Sequence, residues 1–126
     1  METSVQIVVS DPWEYRAENG GDPSLLGTIE SITRLKRWVV RLERPAYANG
    51  RAWPFAICQA RYKKPLSIWN RSMQPAGFLF VENASPDADS TEAQLSAEQM
   101  EALGKALGSV LVLKPGKKRP WYSFWS

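Results

Sequence analysis

The chain contains no histidine and only one cysteine, Cys58. Lacking histidine, it lacks the commonest general base and the commonest metal ligand. A single thiol excludes an internal disulfide framework and fits a reducing compartment. There is no CxxC pair and no glycine-rich phosphate loop after a strand, so redox, zinc and nucleotide-loop chemistry have no motif to stand on. No apolar run approaches the roughly 20 residues of a membrane-crossing helix, so no membrane partner is expected. The opening METSVQIVVSDP has no basic region before its short apolar run, and reads as a strand rather than a signal peptide. These absences place the protein in the cytoplasm as a non-catalytic chain, with no cofactor and no metal set expected.

The nearest approach to a chemical site is the group Asp11, Glu14, Glu18 and Asp22, beside Trp13 and Tyr15. Four carboxylates in one loop are able to hold a hard cation, but their spacing misses the EF-hand pattern, and solvated loop acids are the commoner arrangement. A serine or threonine nucleophile would need a lysine or carboxylate base that no spacing reveals.

Apolar residues make up 44% of the 126 positions and aromatic residues 11%, enough for one compact domain over 1–126 with a real core. Charge is distributed in blocks. Residues 1–30 carry six acids against Arg16, and residues 31–71 carry ten bases against Glu43 alone. Acids return between Glu82 and Glu101, and Lys105, Lys114, Lys117, Lys118 and Arg119 end the chain on a basic block. Such blocks either pair with one another in the fold or create local potentials that the net charge of +3 conceals.

Period-two alternation dominates. Val5, Ile7 and Val9 mark a first strand and Leu26 to Ile32 a second, separated by the turn-rich ENGGDPS of residues 18–24. Asn49-Gly50 between two extended apolar segments predicts a hairpin over 35–62. A three-residue loop sets Trp38, Val40 and Leu42 opposite Ala60, Cys58 and Ala56, large against small, as an inner face requires. A two-residue turn instead puts Trp38 and Val40 against Arg61 and Gln59, a poorer core. The preferred register makes Cys58 a buried small hydrophobe rather than a catalytic thiol. On its other face Arg37 lies opposite Arg61, Val39 opposite Gln59 and Arg41 opposite Ile57, with Lys63 extending the row. Like charges across a ladder repel, so acids such as Glu30, water or an external anion must relieve them.

LSIWN, residues 66–70, reads as a short strand or irregular edge, and GFLFVE, residues 77–82, as a clear strand with Phe78 and Phe80 on one face. The acidic ASPDADST that follows is a loop. Ser96 and Gln99 form a capping box with a Leu95–Met100 staple, predicting one late helix whose stripe runs through Met100, Leu103 and Leu107 and ends at Gly108. Val110 to Leu113 is a strand. In the closing KPGKKRPWYSFWS, Lys117, Lys118 and Arg119 are expected in an exposed turn, and Trp121, Tyr122, Phe124 and Trp125 docked on the fold or a partner. Most of Trp38, Trp53 and Trp69 are expected in the core.

The fold expected is α+β and mainly antiparallel: about six strands in a small barrel or sandwich, with one helix in the C-terminal half. Two binding functions compete. In the first, Arg37, Arg41, Arg61, Lys63, Lys64, Arg71, Lys117, Lys118 and Arg119 hold nucleic acid or another phosphate-bearing ligand, while rings such as Trp69 stack on bases. In the second, Trp69, Trp121, Tyr122 and Trp125 anchor one specific protein partner, as in an inhibitor, an immunity-type protein or an accessory subunit.

Overall fold

The computed structural model describes residues 3–48, 50–82 and 104–114. They form six strands, β1 (Thr3–Asp11), β2 (Ser24–Ile32), β3 (Trp38–Ala48), β4 (Arg51–Ala60), β5 (Gln74–Val81) and β6 (Gly104–Lys114), with a single turn of helix, α1 (Tyr15–Glu18), between β1 and β2. Each strand pairs antiparallel with the next, and β6 returns to β1, closing a barrel. Closure decides between barrel and sandwich and gives every strand a neighbour on each side. Among the described residues no helix is long and apolar enough to cross a membrane.

The interior follows the alternation. Val5, Ile7 and Val9 of β1 point inward with Leu25, Ile29, Trp38, Val40, Phe78, Phe80, Val110 and Val112. Across the barrel wall Cys58 lies between Trp38 and Phe78, and Ala56 between Val40 and Phe80. Small residues flanked by large ones fill the interior without overpacking it. At the hairpin tip Trp53 is buried and donates its indole N–H to the Ala48 carbonyl at 2.9 Å.

The hairpin register differs from the expected one. Ala48 pairs with Arg51, so two residues rather than three separate the paired ends of the strands, and Gly50 stands at φ 72°. Beyond Tyr47–Ala52 and Ala46–Trp53 the ladder breaks: Leu42 to Pro45 on β3 span the gap that Pro54 alone spans on β4. A proline has no N–H to give a ladder, and one stands on each side of the break. Pairing then resumes with Arg41–Phe55, Val40–Ala56, Val39–Ile57 and Trp38–Cys58. The bulge changes the parity that the two-residue turn would impose, so Trp38, Val40, Ala56 and Cys58 still face inward.

This register also corrects the outer face. Arg37 is level with Gln59, to which its Nε donates at 3.1 Å, and not with Arg61. Val39 and Ile57, together with Leu79 and Val81 on β5, form a second apolar cluster, buried to 8% exposure or less, with Phe55 packed against it. The outside of β3–β5 is therefore apolar in the middle rather than a continuous basic row.

The helix among the described residues is α1, in the N-terminal half. Leu107 and Gly108, expected as the last turn and end of a late helix, belong to β6, whereas Leu95, Ser96, Gln99, Met100 and Leu103 lie outside the described residues. The reason is visible at Gly108, which pairs with Val9 on one side and Ala76 on the other. A Cβ there would overlap the Val8 carbonyl. Glycine at this position permits close passage of two strands and does not cap a helix. Residues 66–70 form no strand, and the tail from Pro115 to Ser126, with Lys117, Lys118, Arg119, Trp121, Tyr122, Phe124 and Trp125, lies outside the described residues.

Candidate anion-binding end of the barrel

In a closed meander, alternate connections emerge at the same end. The β2–β3 turn (residues 33–37) and the β4–β5 connection (residues 61–73) therefore share one end of the barrel, where β1 begins and β6 finishes. Between them these two segments hold Arg34, Lys36, Arg37, Arg61, Lys63, Lys64 and Arg71, and no acid. All are exposed except Arg37, which is half-buried. Among the described residues no carboxylate pairs with Arg34, Lys36, Arg61, Lys63, Lys64 or Arg71.

Three bases elsewhere on the barrel do have acid partners. Arg41 meets Glu30 at 3.3 Å, Arg44 meets Asp22 at 3.4 Å, and Arg51 meets Glu82. Internal pairing of the charge blocks is thus real along β3 and at the opposite end of the barrel, where α1 and the β3–β4 tip lie. There Ser24 donates its N–H and its hydroxyl to Asp22 Oδ1, holding that carboxyl below the usual carboxylate range, with Arg44 adding to the effect. Asp11, Glu14, Glu18 and Asp22 do not converge: among the described residues no three His, Cys, Asp or Glu side chains are placed to share an ion.

Both segments at the basic end have defined backbones. In the β2–β3 turn Thr33 accepts the Lys36 N–H on its carbonyl at 3.0 Å and the Arg37 N–H on Oγ1 at 3.1 Å, while its own N–H donates to Arg37 O at 2.8 Å. Lys36 occupies the left-handed region, φ 66°, to complete this turn. In the β4–β5 connection the organiser is Gln74, a buried polar residue. Its Oε1 accepts the Ser67 N–H at 2.8 Å, and its Nε2 donates to the Ser67 carbonyl at 2.9 Å and the Asn70 carbonyl at 3.4 Å. Leu66 and Ile68 turn inward onto the barrel core. Asn70 Oδ1 accepts the Ser72 N–H, and Arg71 donates to the Leu113 carbonyl at 2.8 Å, tying the connection to β6.

Two rings stand outward on this framework. Tyr62 is 68% exposed with the Arg61 guanidinium over its ring at 5.8 Å, and Trp69 is 51% exposed. Trp38 and Trp53 are core residues and Trp69 is not.

Of the bases singled out in the sequence, the structure gathers Arg37, Arg61, Lys63, Lys64 and Arg71 at this end and sets Arg41 apart, on the barrel wall with Glu30. Sequence reasoning missed Arg34, Lys36 and Tyr62. Counting strands would have found them, because the connections before β3 and after β4 must share an end once the chain is read as a meander. Cys58 is fully buried, and burial pushes its thiol well above the ordinary range, leaving no accessible nucleophile there. Comparison with protein-family models, curated proteins and solved structures finds no match for this chain.

Proposed function

We propose that this protein is a non-catalytic binding module whose basic barrel end holds a nucleic acid or another phosphate-bearing anion, acting in the cytoplasm. The observation that carries this reading is the pairing pattern: acids answer Arg41, Arg44 and Arg51, whereas six exposed bases on two adjoining connections have no acid partner among the described residues. Uncompensated like charges on one end repel, which costs stability, and a bound polyanion relieves that repulsion while releasing its own counterions. A second reading, one defined protein partner, has Trp13 in its favour: it is 80% exposed at the opposite end, among acids, where an aromatic anchor would be available.

A mixed-sequence labelled oligonucleotide and inorganic polyphosphate, titrated by fluorescence anisotropy, test the first reading. Four phosphate contacts predict an affinity that falls on the order of 100-fold between about 50 and 200 mM salt. Replacing Arg61, Lys63 and Lys64 together by Glu should abolish binding, while Arg41→Glu on the barrel wall should change it little. Failure of both probes to bind at about 50 mM salt would overturn the proposal.

A further inference from the structure

We infer that the gap between β2 and the tip of β3 is a binding site for an extended peptide, which pairs with β3 as an added strand and carries a lysine or arginine next to an apolar residue. The gap lies at the end of the barrel opposite the basic connections, and none of their residues takes part. β2 and β3 pass closest at Gly27, where a Cβ would meet the Val40 side chain and the Arg41 carbonyl. Beyond Gly27–Leu42 their pairing stops, although β2 stays paired with β1 as far as Ser24 and β3 pairs with β4 out to Ala48. Each strand therefore keeps a backbone edge turned toward the gap.

On β3 that edge is defined by Tyr47, whose N–H and carbonyl both bond the side chain of Asn19 on the side away from β4. Along the strand Leu42, Ala46 and Ala48 are buried while Glu43, Pro45 and Tyr47 are exposed, so the alternation keeps its parity, and Glu43 and Pro45 turn their backbone groups to the same side as Tyr47. The Glu43 N–H and the carbonyls of Glu43 and Pro45 are the groups an incoming strand meets. Arg44 has the inward parity, yet its side chain is 66% exposed where it meets Asp22, so it leaves the barrel through the gap. It borders two cavities, one of about 380 Å³ with Leu26, Asp22 and Glu43 on its walls and one of about 300 Å³ with Leu25, Pro45 and Tyr47. Leu25 and Leu26 belong to opposite faces of β2, and an added strand sends successive side chains to opposite faces, one toward each cavity. Arg44 answers Asp22, whereas no described cation pairs with the exposed Glu43, so the first cavity suits a basic side chain and the second an apolar one. Main-chain bonds then supply affinity and the two cavities supply selectivity.

The test uses three labelled, end-blocked octapeptides, read by fluorescence anisotropy: repeated Thr-Lys-Val, the same side chains on a backbone in which esters replace the amides, and repeated Thr-Glu-Val. The Thr-Lys-Val peptide should bind at least roughly tenfold tighter than either control, since two lost backbone bonds are worth about that factor. Glu43→Gln should weaken it about two- to fivefold with the melting temperature unchanged, because Glu43 is exposed. Arg61→Glu, at the other end of the barrel, should leave it unaltered. Saturating peptide should slow hydrogen exchange of the Glu43 amide at least about tenfold, a readout that binding by charge alone does not move. No binding of the Thr-Lys-Val peptide at about 1 mM, equal binding of the ester or Thr-Glu-Val peptide, or unchanged exchange at Glu43 in the bound state would overturn the inference. None of these outcomes bears on the oligonucleotide and polyphosphate titrations, so the anion-binding reading stands or falls separately.

Discussion

The side-chain amide of Asn19 pairs with both backbone polar groups of Tyr47: Oδ1 accepts the Tyr47 N–H at 2.9 Å and Nδ2 donates to the Tyr47 carbonyl at 2.9 Å. Asn19 thereby acts as a strand residue would. The described pairing of β2 with β3 stops at Gly27–Leu42, so the tip of β3 pairs with β4 on one edge only, and Asn19 supplies the partner on the other edge while also holding the Tyr15 carbonyl at 2.8 Å. Asn19→Asp should be worse than Asn19→Ala, because a carboxylate cannot donate and would face two carbonyl oxygens. Alanine is expected to cost about 1–2 kcal/mol and aspartate about 2–3 kcal/mol, read from urea unfolding midpoints at unchanged slope.

Gly108 tolerates no side chain, since a Cβ would strike backbone at Val8 rather than a side chain that can rotate away. Gly108→Ala should cost about 2–3 kcal/mol, roughly 8–12 °C in melting temperature, through forced separation of β1 and β6. A variant melting within a degree or two of the parent would show that the two strands do not pass so closely.

Lys36 holds a left-handed backbone that glycine adopts without strain. Lys36→Gly should therefore stabilise the fold by about 0.5–1 kcal/mol. If Lys36 contacts a phosphate, the same variant should reduce the slope of log affinity against log salt by about 0.9. Gain of stability with loss of salt dependence is a combination that general damage to the turn cannot produce.

Tyr15 is buried against Phe80, ring centroids 5.8 Å apart, and its hydroxyl has no hydrogen-bond partner among the described residues. Burial raises the Tyr15 phenol and the Cys58 thiol above their ordinary values of 10.0 and 9.0. The folded chain then keeps both protons at a pH where the unfolded chain releases them. Stability should be complete below pH 9.0 and fall as pH rises, with a linkage slope of one proton from Cys58 and a second above pH 10.0 from Tyr15. Tyr15→Phe removes an unpaired buried hydroxyl without changing shape, so it should be neutral or stabilising by up to about 1 kcal/mol and should halve the slope above pH 10.0. Denaturant titrations from neutral to alkaline pH provide the measurement.

Local pattern alone was enough for the strands that alternate and for what they bury. Val5, Ile7 and Val9, Phe78 and Phe80, a hairpin turning at Gly50 and the buried Cys58 all follow from period and turn chemistry, which act between residues close in the chain. Three features were decided only by tertiary structure. The hairpin register depends on a bulge at Pro45 and Pro54, whose effect on a ladder appears only when the two strands meet. Residues 104–108 extend rather than coil because β5, far away in sequence, pairs with all of them and β1 with Leu107 and Gly108, and that pairing outweighs a helical pattern of a few residues. The candidate site gathers Arg34 and Lys36 with Arg61, Lys63, Lys64, Tyr62 and Trp69 because barrel closure fixes which connections share an end. Residue types and charge blocks were written in the chain; their convergence was set by topology, since electrostatic and stacking contacts depend on distance in space rather than along the backbone.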